Sequence, residues 1–337
     1  MTGAELDELL STPRGETVEA LRACPGDVIV LGAGGKMGPT LARMLARTAA
    51  RLGEARRVYA ASRFSDQAAE AAVRAAGVEP IRCDLLDRDA VARLPDVANV
   101  IFMAGQKFGT SDAPASTWAM NTIVPAICAE RYRAARIVAF STGNVYPLST
   151  VTAGGARETD PVGPVGEYAW SALGRERVLE FSSARHATRV AIVRLNYAID
   201  LRYGVLADIA LRIAVGAPVP LEMGHVNVIW QGDASRIAIE CLSRAATPPF
   251  VVNVTGSETV SVRALAQQLG ERLGRPPRFR GRERTSALLS NTTRMRQTFS
   301  PPAVSLEQMV AWVAEWVANG GTMLGKPTHF EERSGEY

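Results

Sequence analysis

Asp27-Val28-Ile29-Val30-Leu31 runs without a break into Gly32-Ala33-Gly34-Gly35-Lys36-Met37-Gly38, and that turn into a helical stretch over residues 39–52. The first segment is short, apolar and β-branched and is bounded at once by glycines, which predicts a buried strand. The order is therefore strand, glycine turn, helix. Glycines allow the tight turn and let backbone N–H groups come close to a pyrophosphate, while the N-terminus of the following helix adds partial positive charge. Placed between a strand and a helix, the glycines read as a dinucleotide-binding turn rather than an ordinary βα loop.

The same alternation repeats outward from this turn. Strands are expected over 58–61, 79–83, 100–104, 136–141 and 189–195, and helices over 66–76, 87–93, 116–132 and 168–184. Strands alternating with helices imply the α/β class with a doubly wound, parallel Rossmann-type sheet. Before it, Leu6, Leu9, Leu10, Val18 and Leu21 recur at helical spacing, so residues 1–26 read as a helical extension ending at Pro25-Gly26. Beyond Asn196 the prolines 218, 220, 276, 277, 301 and 302 punctuate shorter segments and the rhythm weakens. A smaller, discontinuous C-terminal substrate lobe is expected there, formed by 201–231 and 255–337. Between its parts, a helix over 233–245 and an apolar strand over 250–254 read as a return to the core of 27–200.

Composition narrows the function. Hydrophobic residues make up 47% of the 337 and charged residues 21%, ordinary globular usage, and no apolar run approaches the roughly 20 residues of a membrane span. Cys24, Cys83, Cys128 and Cys241 are too far apart for a zinc knuckle or a disulfide framework, and three histidines are too scattered to suggest a metal site. No metal is expected. Glu5, Asp7 and Glu8 near the start do not read as a secretory signal, which points to the cytoplasm. The net charge of +4 is spread over scattered arginines without a basic block, so a small anionic ligand fits better than nucleic acid, and no membrane partner is expected.

The end of the second strand should face the adenosine ribose, where an acid favours NAD and a base accommodates the additional phosphate of NADP. Ser62-Arg63 stand there, and no Asp or Glu follows until Asp66. Arg63 can pair with a phosphate through two N–H groups, so NADP is preferred over NAD. A solvated arginine is the other reading.

Gly32, Gly35 and Gly38 give Gly-x-x-Gly-x-x-Gly, and on these glycines the chain resembles the short-chain dehydrogenase/reductase superfamily. From residue 27 to about 316 it is similar to the extended branch, the NAD-dependent epimerases, dehydratases and reductases of nucleotide sugars. The motifs follow in order: Asp84-Leu85 after the third strand, Val100 through Gly105, Asn121, Phe140-Ser141-Thr142-Gly143-Asn144-Val145-Tyr146, and Tyr168 opening a helix. Later come Val251 through Val254, Ser261 through Leu265, and Ala311-Trp312 leading to Trp316. The resemblance implies that Gly32, Gly35, Lys36, Met37, Gly38, Ser62, Arg63, Asp84, Leu85, Ala104, Gly105, Asn121 and Ser141 hold the cofactor. Ala104-Gly105-Gln106-Lys107 matches the epimerase pattern Ala-Gly-x-Lys, whose lysine reaches the cofactor; the chain has only three lysines.

Thr142 and Tyr168 fall at the C-terminal edge of the expected sheet, where substrates bind. A phenol there can exchange a proton with a substrate oxygen while a hydride moves to or from the nicotinamide, and a neighbouring hydroxyl can orient that oxygen. The resemblance gives Tyr168 the acid/base role and Thr142 the orienting one. Two departures stand against it. The family's Tyr-x-x-x-Lys reads Tyr168-Ala169-Trp170-Ser171-Ala172, so the lysine that holds the nicotinamide ribose and depresses the phenol pKa is missing. Arg175, on the same helix face, could compensate in part through its long side chain, but its head group is poorly suited to the compact ammonium site. The dehydratases' Thr-Asp-Glu reads Thr142-Gly143-Asn144, which disfavours dehydration. The expected function is an NADP- or NAD-dependent oxidoreductase or epimerase acting on a sugar, sugar acid or nucleotide sugar. Arg202, Arg212, His225 and Asn227 could contact an anionic substrate, but none of them stands out from ordinary polar surface residues. A cofactor-binding sensor or structural subunit without turnover is the alternative. Homodimerisation through the helices over 116–132 and 168–184 is implied by the resemblance alone.

Overall fold

The computed structural model describes residues 1–65, 67–107, 109, 112–326 and 328–336. Seven strands form the central sheet: β1 (Val28–Leu31), β2 (Val58–Ser62), β3 (Glu79–Arg82), β4 (Asn99–Phe102), β5 (Arg136–Thr142), β6 (Arg189–Leu195) and β7 (Phe250–Val254). Their order is β7-β6-β5-β4-β1-β2-β3, and every neighbouring pair is parallel. The chain starts in the middle at β1, winds outward to β3, and returns to lay β4 beside β1. That reversal leaves a crevice at the C-terminal ends of β1 and β4, where a doubly wound sheet binds its ligand. Central strands β1 and β4 are buried along their whole length. Both of their faces are covered, which is why they read as continuous apolar runs rather than alternating ones.

The helices are α1 (Gly3–Leu10), α2 (Gly15–Arg22), α3 (Gly38–Leu52), α4 (Gln67–Ala75), α5 (Arg88–Ala92), α6 (Pro114–Trp118), α7 (Val124–Arg131), α8 (Gly166–His186), α9 (Val205–Val215), α10 (Gln231–Glu240), α11 (Val262–Leu273), α12 (Thr293–Thr298) and α13 (Leu306–Ala318). On one face of the sheet, Leu41 and Leu45 of α3 and Ile237 of α10 pack onto Val28, Val30 and Val252. On the other, Val124 and Ile127 of α7 and Leu179 of α8 pack onto Ile29, Leu31 and Ile192. A separate core joins Leu6 and Leu10 of α1 to Ile209, Leu265 and Val313 of α9, α11 and α13. The N-terminal extension therefore divides between two cores, with Leu21 of α2 in the sheet's core and α1 in the lobe's.

The structure revises several expected elements. The helix expected over 116–132 is α6 and α7 joined by a π-turn at Ala119–Ile123. Pro125 has no N–H to offer the carbonyl four residues back, and a locally widened turn relieves the clash. The strand expected over 100–104 ends at Phe102, because Met103 and Ala104 already turn along the cleft. In place of a helix over 233–245, α10 begins at Gln231 and tightens after Glu240 into a 3₁₀ turn over Cys241–Arg244. The helix α8 exceeds its expected span by two residues at each end. Asp66, the expected start of α4, lies outside the described residues. Among the described residues no helix is long and apolar enough to cross a membrane, and no three His, Cys, Asp or Glu side chains converge as metal ligands.

Candidate active site

The glycine turn leaves β1 and enters α3 under tight steric control. Gly32 has φ +88°, and a Cβ on it would lie 2.5 Å from the Ala104 amide nitrogen. Any side chain would push β4's outgoing loop away. A Cβ on Gly38 would lie 2.1 Å from the Ala33 carbonyl oxygen, so the helix could not start where it does. At Gly35 the nearest atom would be 3.6 Å away, and this residue borders open space. The amides of Gly34, Lys36 and Met37 have no acceptor among the described residues. Three free donors at the start of a 15-residue helix fit an anionic diphosphate.

Two cavities meet along this turn and together form one cleft. The first is lined by Gly32, Gly35, Ser62, Arg63, Asp84, Leu85, Ala104 and Gly105. Leu85 is buried, the Asp84 carboxylate accepts the Leu86 amide at 3.0 Å, and Arg63 stands exposed at the mouth. This half has the outline of an adenosine site, bounded by the ends of β2 and β3.

The second cavity is lined by Lys36, Met37, Lys107, Ser141, Thr142 and Tyr168, with Asn196, Tyr197, Tyr203 and Thr328 supplied from beyond β6. The Thr142 hydroxyl donates to the Asn144 side-chain oxygen at 3.1 Å and accepts the Asn144 amide at 3.2 Å, and it lines the same cavity wall as the Tyr168 phenol. Burial pushes the phenol above its ordinary range, while Arg175 and the Thr142 hydroxyl act in the opposite direction. The Lys36 ammonium lies 3.4 Å over the Tyr203 ring and that of Lys107 lies 5.8 Å from the centre of the Tyr168 ring. Burial pushes Lys36 down to about 7 and Lys107 down to about 8. No carboxylate is among the described residues lining this cavity.

A buried polar layer under the cleft sets these positions. Asn121, within the π-turn, accepts the Gln106 amide and donates to the Gln106 carbonyl, both at 3.0 Å. It thus clips the loop that carries Lys107. Its amide also donates to Ser171 at 2.8 Å, and it accepts from Arg175, which donates at 2.7 Å to the Phe140 carbonyl. Farther along α8, Glu176 takes a two-pronged contact from Arg194, at 3.0 and 2.7 Å, and the Ser141 hydroxyl. Arg194 donates at 2.6 Å to the Tyr146 hydroxyl, which donates at 2.9 Å to Asn253. This chain of bonds ties β5, β6, β7 and α8 together directly beneath Thr142.

Of the residues expected at the site, all but Gly38 and Asn121 line the two cavities. Gly38 acts through the turn's shape and Asn121 lies behind the loop, fully buried. Arg202, Arg212, His225 and Asn227 line neither cavity. Arg202 pairs with Asp7 and Asp200, Arg212 with Glu331, and Asn227 bonds the Glu258 carbonyl and Ser290 amide. His225 belongs to a short strand paired with Ser261. Each is engaged in lobe structure away from the two cavities. The sequence reading missed Glu176, Arg194, Tyr146, Asn253 and Tyr203. Its one available signal was a charged residue inside an apolar strand, Arg194.

Residues 28–220 match the model of the NAD-dependent epimerase/dehydratase family. No curated protein matches the chain. Among solved structures it is similar to UDP-glucuronic acid 4-epimerase from Bacillus cereus in complex with NAD, at 16% identity and TM-score 0.73 over 86% of this chain and 96% of that one. It is equally similar to the dTDP-glucose 4,6-dehydratase DesIV from Streptomyces venezuelae with NAD bound, at 19% identity and TM-score 0.73 over 87% and 97%. Pal from Bacillus thuringiensis gives 19%, 0.73, 87% and 99%. At these identities the likeness shows a shared fold.

Proposed function

The chain belongs to the NAD-dependent epimerase/dehydratase family and is an enzyme of that extended short-chain dehydrogenase/reductase type; from that premise we propose that it is an epimerase or oxidoreductase acting on a hydroxyl or carbonyl carbon of a nucleotide sugar or sugar acid. The observation that carries this reading is that Thr142 and Tyr168 line one cavity with Lys36 and Met37 of the glycine turn. When bound, the nicotinamide supplies a centre that takes up and returns a hydride. Tyr168 passes the matching proton to or from the substrate oxygen, and Thr142 orients that oxygen. The free amides of the turn hold the diphosphate, and Gly143-Asn144 leaves the site without the acids that expel water. The test is product analysis after incubation with cofactor and a panel of nucleotide sugars. An epimer or oxidised sugar is expected; binding of cofactor with no product from any sugar favours the second reading, a sensor or structural subunit, which Ala172 motivates.

Residues 201–231 and 255–336 supply the second cavity's outer wall, and we assign them the substrate. Exposed Trp118, Ile123, Trp170 and Phe181 on α6, the π-turn and α8 support pairing with a second copy.

Arg63 favours NADP, whereas the similar Bacillus and Streptomyces structures hold NAD. A charge-assisted contact to the 2′-phosphate contributes about 1.5 to 3 kcal/mol, roughly 10- to 150-fold in relative affinity. Arg63→Ala is expected to erase that preference in calorimetric titrations with both cofactors. An unchanged ratio of dissociation constants removes Arg63 from the site.

Cofactor binding is also expected to depend on pH. Lys36 and Lys107 titrate near 7 and 8 without ligand, and an anion in the cleft favours their charged forms. Their contribution to binding is thus complete below pH 7 and fades as pH rises through and above 8. Calorimetry in buffers of different ionisation enthalpy should show proton uptake at pH 7.5; no uptake places both lysines away from the ligand's charge.

A further inference from the structure

Ala172 removes the ammonium that a Tyr-x-x-x-Lys helix places one turn below its tyrosine, but the structure puts another cation in the same layer. We propose that Arg175, two turns from Tyr168 and hydrogen-bonded to the Phe140 carbonyl and Asn121 beneath Gly105, is the positioning residue that takes over the lysine's electrostatic work on the phenol. This rests on Tyr168 being the proton-transfer residue.

The geometry is specific. Arg175 is 6% exposed, and its guanidinium touches the point where a Cβ on Gly105 would stand, directly under the cleft floor. Both of its acceptors are neutral, and its Nε–H is buried with no acceptor among the described residues. The adjacent acid, Glu176, is occupied by Arg194 and Ser141. The direct bonds of this buried charge are to neutral dipoles, with Glu176 acting on it without a direct bond. The Asn121 side chain that accepts from Arg175 donates to Ser171, which donates at 3.0 Å to the Tyr168 backbone carbonyl. The charge therefore sits in the layer that carries Tyr168 and favours its phenolate. Other groups lining the phenol's cavity are Thr142 from β5, Lys107 from the loop after β4, Lys36 from the glycine turn, and Tyr203 before α9. Thr142 carries no charge. The two lysines lose theirs near 7 and 8, before a phenol titrates, and a second phenol, Tyr203, opposes ionisation. Burial lowers the Arg175 pKa while Tyr168 and Glu176 act to raise it, and from its high starting value it is the last of these cations to lose its charge.

The test needs no substrate. Tyrosinate absorbance against pH, wild type minus Tyr168→Phe, isolates this phenol from the other six of the chain's 7 tyrosines. Arg175→Gln, which still offers N–H donors, is expected to raise the Tyr168 midpoint by about one pH unit or more, a tenfold loss of phenolate. Arg175→Met, which keeps the apolar stem, carries the same expectation should the glutamine variant not fold. Arg175→Lys retains the charge and should stay closer to wild type, and Ala172→Lys added to Arg175→Gln should restore the midpoint. A folded neutral variant that titrates like wild type overturns the role of Arg175. Full turnover by Tyr168→Phe instead overturns the reading of Tyr168 itself, so the two failures are distinguishable.

Discussion

Tyr168→Phe lowers turnover by about 10²- to 10⁴-fold and leaves cofactor affinity within about twofold. The phenol lines the second cavity together with Thr142 and can exchange a proton with a substrate oxygen there. Removing the hydroxyl keeps the ring that packs beside Lys107, so cofactor binding at the glycine turn is untouched. Burial holds the phenol protonated at neutral pH, which suits it to donate first and to accept only where Arg175 assists. Steady-state rates on an authentic substrate, together with a cofactor titration, check both halves of this expectation. Equal loss of rate and of cofactor affinity would mean that the ring, not the hydroxyl, matters.

Glu176→Ala is expected to destabilise the fold by about 3 to 5 kcal/mol, the range for removing one partner of a buried ion pair. Glu176 is fully buried and Arg194 is 4% exposed, so deletion of the carboxylate strands a guanidinium between β6 and α8. The loss propagates, since Arg194 also holds the Tyr146 hydroxyl, which in turn holds Asn253 of β7. A urea titration measures it. The double variant Glu176→Leu/Arg194→Met should recover much of the loss, because an apolar pair leaves no uncompensated charge. A single variant within about 1 kcal/mol of wild type would show that water reaches Arg194.

The sheet was legible because each strand is a short apolar run bounded by turn residues, and because the strand–glycine–helix order around Gly32 and Gly38 has few solutions. Phe250–Val254 was legible for the same reason despite its distance along the chain. Local break-points were harder to read. Pro125 bends a helix through a π-turn that residue periodicity cannot distinguish from a regular one. The cleft's first half followed from consecutive motif residues, whereas the second half depends on contacts made across the lobe. Tyr203 under Lys36 and Thr328 on the far wall are separated from the turn by 167 and more positions, and no spacing rule connects them. Arg202, Arg212, His225 and Asn227 carried no spacing signal that set them apart from other polar residues, and in the lobe they are engaged by Asp200, Glu331, Ser261 and Glu258. The fate of the missing lysine lay in side-chain direction: Ala172 packs against Val145 and Tyr146, while Arg175 turns under the cleft.

The central claim is that substrate chemistry occurs at the nicotinamide end of this cleft. It is tested most directly by mixing the protein, loaded with NAD or NADP, with individual nucleotide sugars in a stopped-flow instrument and following absorbance at the nicotinamide band. At least one sugar should change the redox state of bound cofactor in the wild-type protein, at a rate depressed by about 10² or more in Tyr168→Phe. Tight cofactor binding with no absorbance change for any sugar, or an identical change in both proteins, would contradict it.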